Sequence, residues 1–284
     1  LVDVALIAFG ADTGLSLVLG AIAAATAPAA TLMVIRQYRA SGPVVETLLP
    51  VVAFDDAVGL VVFSVSIALA RVFSTGAELT VQSILVTPLI EIIGSLALGL
   101  ILGAALWLLN KWFKLGENKL ISAILVVFAA TGLVQLVSSL WGIDMSGLLV
   151  CMMVGATFTN MCVDETEVLS RCDAWSTPLL MLFFVISGAQ LDISVIPSIG
   201  VIGVIYILAR SIGKYVGAYT GCKLTKANPV VTKYLGWTLL PQAGVEIGMA
   251  QVAMAALPAI GAQINTVVLC AIFVYAIIGP IITK

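Results

Sequence analysis

The chain contains no histidine, and only 10% of its 284 residues are charged. A soluble domain carries about a quarter charged residues, so most of this surface must face something other than water. Without histidine, any proton chemistry near neutral pH falls to carboxylates or lysines in perturbed surroundings. Basic residues are not in excess either, since 13 Lys and Arg stand against 15 Asp and Glu, and no positive surface invites nucleic acid. The cysteines Cys151, Cys162, Cys172, Cys222 and Cys270 form no CxxC pair and show no zinc-ligand spacing, so they read as small apolar fillers. The alternation of apolar and polar residues that marks a membrane β-barrel is missing as well.

What is present is apolar. Hydrophobic residues make up 61% of the chain, and its mean hydropathy is +1.18. Continuous apolar blocks of about 20 residues recur, the length a helix needs to cross the hydrocarbon core. The fold class is therefore an all-α polytopic membrane protein whose first partner is the lipid bilayer. Spans are predicted over roughly 13–35, 44–70, 81–112, 119–141, 145–161, 175–191, 197–221, 233–256 and 264–283. Residues 1–9 read as the tail of a helix already under way, so further helices upstream of Leu1 are expected. Short connections such as Ala40-Ser-Gly-Pro43 and Ala227-Asn-Pro229 carry the turn chemistry.

Alternate loops collect Arg36 and Arg39; Lys111, Lys114 and Lys119; Arg171; Lys223, Lys226 and Lys233; and Lys284. The opposite loops hold only Arg71. The lysine-rich side is expected to be cytoplasmic, in an inner (plasma) membrane. Spans 13–35 and 233–256 then run in opposite directions.

Several charges sit where charge is expensive. Asp55 and Asp56 lie near the middle of the span 44–70, and a carboxylate there costs on the order of 2.5–3.5 kcal/mol on the insertion scale. Adjacent helical residues point about 100° apart, so both can line one cavity. Arg210 and Lys214 lie within 197–221, four residues apart and on one helix face. Lys214 is the natural counter-charge of the aspartates. Arg210 needs a partner too; Glu91 and Glu246 are the other intramembrane acids, and Glu91 is preferred as a structural brace. Backbone breakers interrupt two spans at mid-depth: Pro28 in Ala24-Ala-Thr-Ala-Pro-Ala29, and Pro241 with Gly244 in Leu239-Leu-Pro-Gln-Ala-Gly244. Thr26 and Gln242 offer side-chain oxygens beside them. Each broken span is the middle member of a three-helix group, the layout of an inverted repeat whose discontinuous helices meet at the midplane. The glycine row Gly94, Gly99 and Gly103 points to close packing of its span.

Together ATAPAATLMVIRQYRASGP, LLPVVAFDDAVGLVVF, ILARSIGKYVGAYTG and LLPQAGVEIGMA resemble the monovalent cation/proton antiporters of the Na⁺/H⁺ exchanger superfamily. The aspartate pair is similar to that of its electrogenic, NapA/NhaA-like branch. The resemblance implies the NhaA-like inverted-repeat fold, with about three more helices ahead of Leu1. It implies a transport core of residues 1–70 and 197–284, a linker helix within 71–118, and a scaffold of 119–196 that forms a homodimer. Asp56 matches the main ion-binding carboxylate, Asp55 the acid that pairs with Lys214, and Thr26 the unwound-helix position beside the ion. No enzyme activity and no cofactor are implied, only transported Na⁺ (or Li⁺) and H⁺. A lysine that gives up its own proton when the cation binds would make the exchange electrogenic. The nearest alternative on the same fold is a K⁺/H⁺ antiporter of the Kef type. A sodium-coupled organic-solute symporter lacks the paired aspartates with a lysine, and a passive channel would show no proton coupling. An intramembrane aspartyl protease needs its two aspartates on different helices, whereas these are adjacent.

Overall fold

The computed structural model describes residues 1–26, 31, 35, 37–75, 86–113, 115–143, 145–162, 165–189, 196–242 and 244–283. Its helices are α1 (Val2–Ala8), α2 (Thr13–Ala24), α3 (Pro43–Thr75), α4 (Thr87–Trp112), α5 (Gly116–Trp141), α6 (Gly147–Met161), α7 (Glu165–Ala189), α8 (Ile196–Leu224), α9 (Pro229–Thr238), α10 (Gly244–Ala256) and α11 (Gly261–Thr283). No strand occurs among the described residues. The stretches Pro43–Phe73, Leu89–Trp112, Gly116–Trp141, Gly200–Leu224 and Gly261–Gly279 are each long and apolar enough to cross a membrane. The protein is an all-α polytopic membrane protein. Its outer faces agree with that solvent: Ile121, Leu125 and Phe128 form a row along α5 that is 59%, 59% and 71% exposed, a face suited to acyl chains and costly in water.

The span expected over 175–191 begins ten residues early, at Glu165. Hydropathy marks where a helix enters the hydrocarbon, and α7 runs on outside it through polar turns, where Arg171 meets Glu167 at 3.2 Å with i,i+4 spacing. Pro28, with Ala29 of the same break, and Arg36, Lys114 and Lys284 of the charge count lie outside the described residues.

Two compact units divide the chain: residues 1–78 with 184–284, and residues 79–183. In the second, α4 lies on α6 along the glycine row. A methyl group on Gly99 would meet the Val150 carbonyl oxygen at 2.6 Å, and one on Gly103 that of Val154 at 2.8 Å. Absence of a side chain is what lets the two backbones touch. The Ser95 hydroxyl donates to the Glu91 carbonyl at 2.6 Å and accepts from the Ser146 amide at 2.9 Å, tying α4 to the start of α6. Leu106, Val126, Val154 and Phe158 fill the core between α4, α5 and α6.

In the first unit α2 packs along α3, α1 packs on α2 and α8, and α8 also packs on α9 and α11. Leu48, Val52, Leu235 and Leu239 form a buried cluster here. Two helices stop inside this unit. α2 begins properly, with the Asp12 side chain accepting from the Leu15 amide at 3.0 Å, and ends at Ala24, beyond which Ala25 is extended. α9 begins with Asn228 as its cap and Pro229 in its first turn. After α9, residues 240–242 are non-helical, and α10 starts afresh at Gly244. α3 meets the end of α2 at Gly59, where an added Cβ would lie 3.5 Å from that of Ala25.

Candidate functional site

A helix that stops short leaves carbonyl oxygens without amide partners and a partial negative charge at its C-terminal end. Arg210 and Lys214, one turn apart on α8, supply the donors for two such ends. The Arg210 guanidinium is 1% exposed. Its Nη1 donates to the Leu240 carbonyl at 2.7 Å and its Nη2 to the Ala25 carbonyl at 2.9 Å. One side chain thus ties the interruption after α2 to the interruption after α9. Its flat face rests over the Tyr275 ring, 4.7 Å from the centroid. The carboxylate beside it is that of Glu246, 3.9 Å away and fully buried in the first turn of α10, where the helix dipole also favours it. Glu91, preferred from the sequence, lies in the first turns of α4; spacing and charge alone leave the choice between two glutamates on separate helices open.

The Lys214 ammonium donates to Asp55 Oδ2 at 2.6 Å, to Thr26 Oγ1 at 2.7 Å and to the Ala24 carbonyl. The Thr26 hydroxyl in turn donates to Asp55. A positive group is therefore held by a carboxylate, a hydroxyl and a peptide carbonyl, all oxygen. The Asp55 and Lys214 side chains are 25% and 10% exposed, and both line an open cavity of about 430 Å³ that also reaches Ala24, Arg210 and Leu239. Asp56 lies beside the Thr26 backbone and near the Lys214 charge. Its Oδ1 is buried, with no hydrogen-bond partner among the described residues. A larger cavity of about 800 Å³, lined by Tyr38, Leu48, Tyr234 and Trp237 among others, contains none of these acids.

On the other broken helix, Pro241 and Gln242 lie in the non-helical stretch and Gly244 opens α10. The Gln242 side chain is buried and donates through Nε2 to the Tyr206 hydroxyl at 2.9 Å; its Oε1 has no partner among the described residues. The structure thus brings Asp55, Thr26 and Lys214 into direct contact, and separately Arg210 with Glu246.

Residues that sequence reasoning passed over also belong here. Tyr206 and Tyr275 buttress Gln242 and Arg210, with Tyr275 and Ser211 sharing a hydrogen bond of 2.9 Å. Gly59 lies one turn beyond Asp55, a spacing legible in the sequence. Asp3 lines the same cavity as Asp55 and Lys214; it is an acid in an apolar helix, and the rule that singled out Asp55 could have found it.

Residues 2–284 match the family model described as "Sodium/hydrogen exchanger, transmembrane". The chain belongs to the sodium/hydrogen exchanger family. It is accordingly an integral membrane transporter of the cation/proton antiporter type. No curated protein matches it.

Proposed function

We propose that this exchanger moves Na⁺ or Li⁺ against protons, electrogenically, by presenting Asp55 and Asp56 alternately to the two sides of an inner (plasma) membrane. The observation that carries the reading is the oxygen set around the Lys214 ammonium. Asp55 Oδ2, Thr26 Oγ1 and the Ala24 carbonyl already surround a single positive charge. Hard monovalent cations take the same donors, and the carbonyl ends of interrupted helices are the usual source of the neutral ones in transporters. Asp56 adds a buried oxygen that no described group satisfies. Among the described residues no three Asp, Glu, His or Cys side chains converge, so the set has the low charge of a monovalent site rather than that of a multivalent cage.

Exchange then needs only competition. A cation and protons seek the same carboxylate oxygens, and the site crosses once one or the other has satisfied its charge. The cycle is electrogenic when the return carries two protons, one on Asp56 and one on Asp55 while the Lys214 ammonium is away from it. In this reading residues 1–70 and 197–284 carry the ion, with the breaks after α2 and α9 as corresponding halves of an inverted repeat. Residues 119–196 serve as the scaffold through which two copies pair, joined to the core by a linker helix within 71–118, and the lysine-rich loops face the cytoplasm.

The test is a pH-gradient assay in vesicles containing the purified protein, with Na⁺, Li⁺ and K⁺ added in turn. Na⁺ and Li⁺ are expected to collapse the gradient, and K⁺ to leave it standing. A response to K⁺ alone would assign the protein to potassium/proton exchange, and no response to any of the three would overturn the reading.

A further inference from the structure

α1 carries an acid that the exchange cycle described above does not use. Asp3 lines the cavity that holds Asp55, Arg210 and Lys214. Its Oδ1 is buried, with no hydrogen-bond partner among the described residues. That carboxylate sits directly on the backbone of α2 at Gly20, in the space a Cβ would occupy; any larger residue there would evict it. On the neighbouring helix Gly213, the residue before Lys214, is open toward Leu1, whose Cβ lies 3.7 Å from the position a Gly213 Cβ would take. Two glycines, one on each helix that α1 packs against, thus bring the start of α1 to the turn that bears Lys214.

A cation that takes Asp55 must displace the ammonium now bound there. The stem of Lys214 has four flexible methylenes, and its cationic end, displaced at the middle of a membrane-spanning helix, needs another carboxylate. Loss of its own proton is one exit. We infer that Asp3 is the second seat of Lys214: when a cation occupies Asp55 and Asp56, the ammonium swings across the cavity to Asp3 and stays charged. Asp3 is then a positioning residue that acts on cation binding through Lys214. This inference rests on the assignment of the cation to Asp55 and Asp56.

The experiment is calorimetric titration of NaCl into the detergent-purified protein and its variants, each first checked for a normal melting temperature. Asp3→Asn removes the second seat, so Na⁺ affinity is expected to fall about tenfold, the equivalent of ~1.4 kcal/mol. Gly20→Ala keeps both charges but fills the seat, and is expected to fall by a similar factor; it serves in place of Asp3→Asn should that variant not fold. Asp3→Glu is expected to bind within about twofold of the parent, the reach of one extra methylene being absorbed by the open cavity. Lys214→Gln removes the competing ammonium, and in that background Asp3→Asn should have no further effect. An Asp3 or Gly20 variant with parental affinity overturns the inference. So does an Asp3→Asn effect of equal size with and without Lys214, since a packing or simple field effect would persist. Parental Na⁺ binding by Asp56→Asn would instead overturn the site assignment on which it rests.

Discussion

Asp56→Asn is expected to abolish Na⁺-driven proton movement, lowering the initial rate at least about 100-fold while leaving a folded protein. The asparagine keeps the size of the side chain and one oxygen, so α3 and its contact with Thr26 have little reason to change. It loses two things at once. A neutral amide is a poor replacement for a charge-assisted ligand, and it cannot pick up a proton, so the return half of the cycle has no carrier. The readout is fluorescence dequenching of a pH probe in proteoliposomes after a Na⁺ pulse. Exchange at the parental rate would show that ions cross elsewhere. Asp55→Asn is the informative contrast: it also halts exchange, but it takes away the carboxylate that holds the Lys214 ammonium beside Thr26 and the Ala24 carbonyl, leaving that ammonium to Asp3.

Arg210→Ala is expected to have the largest effect on stability, about 3–5 kcal/mol, the usual cost of removing one member of a buried charge pair. The guanidinium is the shared donor for the Ala25 and Leu240 carbonyls and lies 3.9 Å from the buried Glu246 carboxylate. Its removal unties the two interrupted helices and leaves their carbonyls facing apolar neighbours. The apparent melting temperature in detergent should drop on the order of 10 °C. Arg210→Lys should not rescue, because two carbonyls on different elements need the two arms of a planar fork. A melting temperature within a degree or two of the parent would show that the breaks are held by something else.

These two residues also show what the sequence makes legible. Arg210 and Lys214 stand out as charges four apart in an apolar span, and Asp55 and Asp56 as charges without a turn nearby; the price of charge in hydrocarbon makes each a signal. The breakers Pro241 and Gly244 announce an interruption by their backbone chemistry. Partnership is a different matter. That Arg210 lies against Glu246 depends on how α8 and α10 pack, which neither period nor composition encodes. Helix ends outside the hydrocarbon, such as the polar first turns of α7, escape hydropathy because lipid no longer selects their residues. Asp3 is marked by charge as clearly as Asp55, but its meaning comes from Gly20 on another helix and emerges only in three dimensions.

The central claim is that one set of carboxylate oxygens serves cations and protons in turn, and Na⁺ binding measured across pH tests it most directly. Calorimetric titrations of the purified protein from alkaline to acid pH should show the apparent Kd for Na⁺ rising as pH falls. Over the range where protons hold the site, the rise should be about tenfold per pH unit for each proton displaced. An affinity that stays constant across that range would mean that the two ions do not meet at Asp55 and Asp56, and the account would be contradicted.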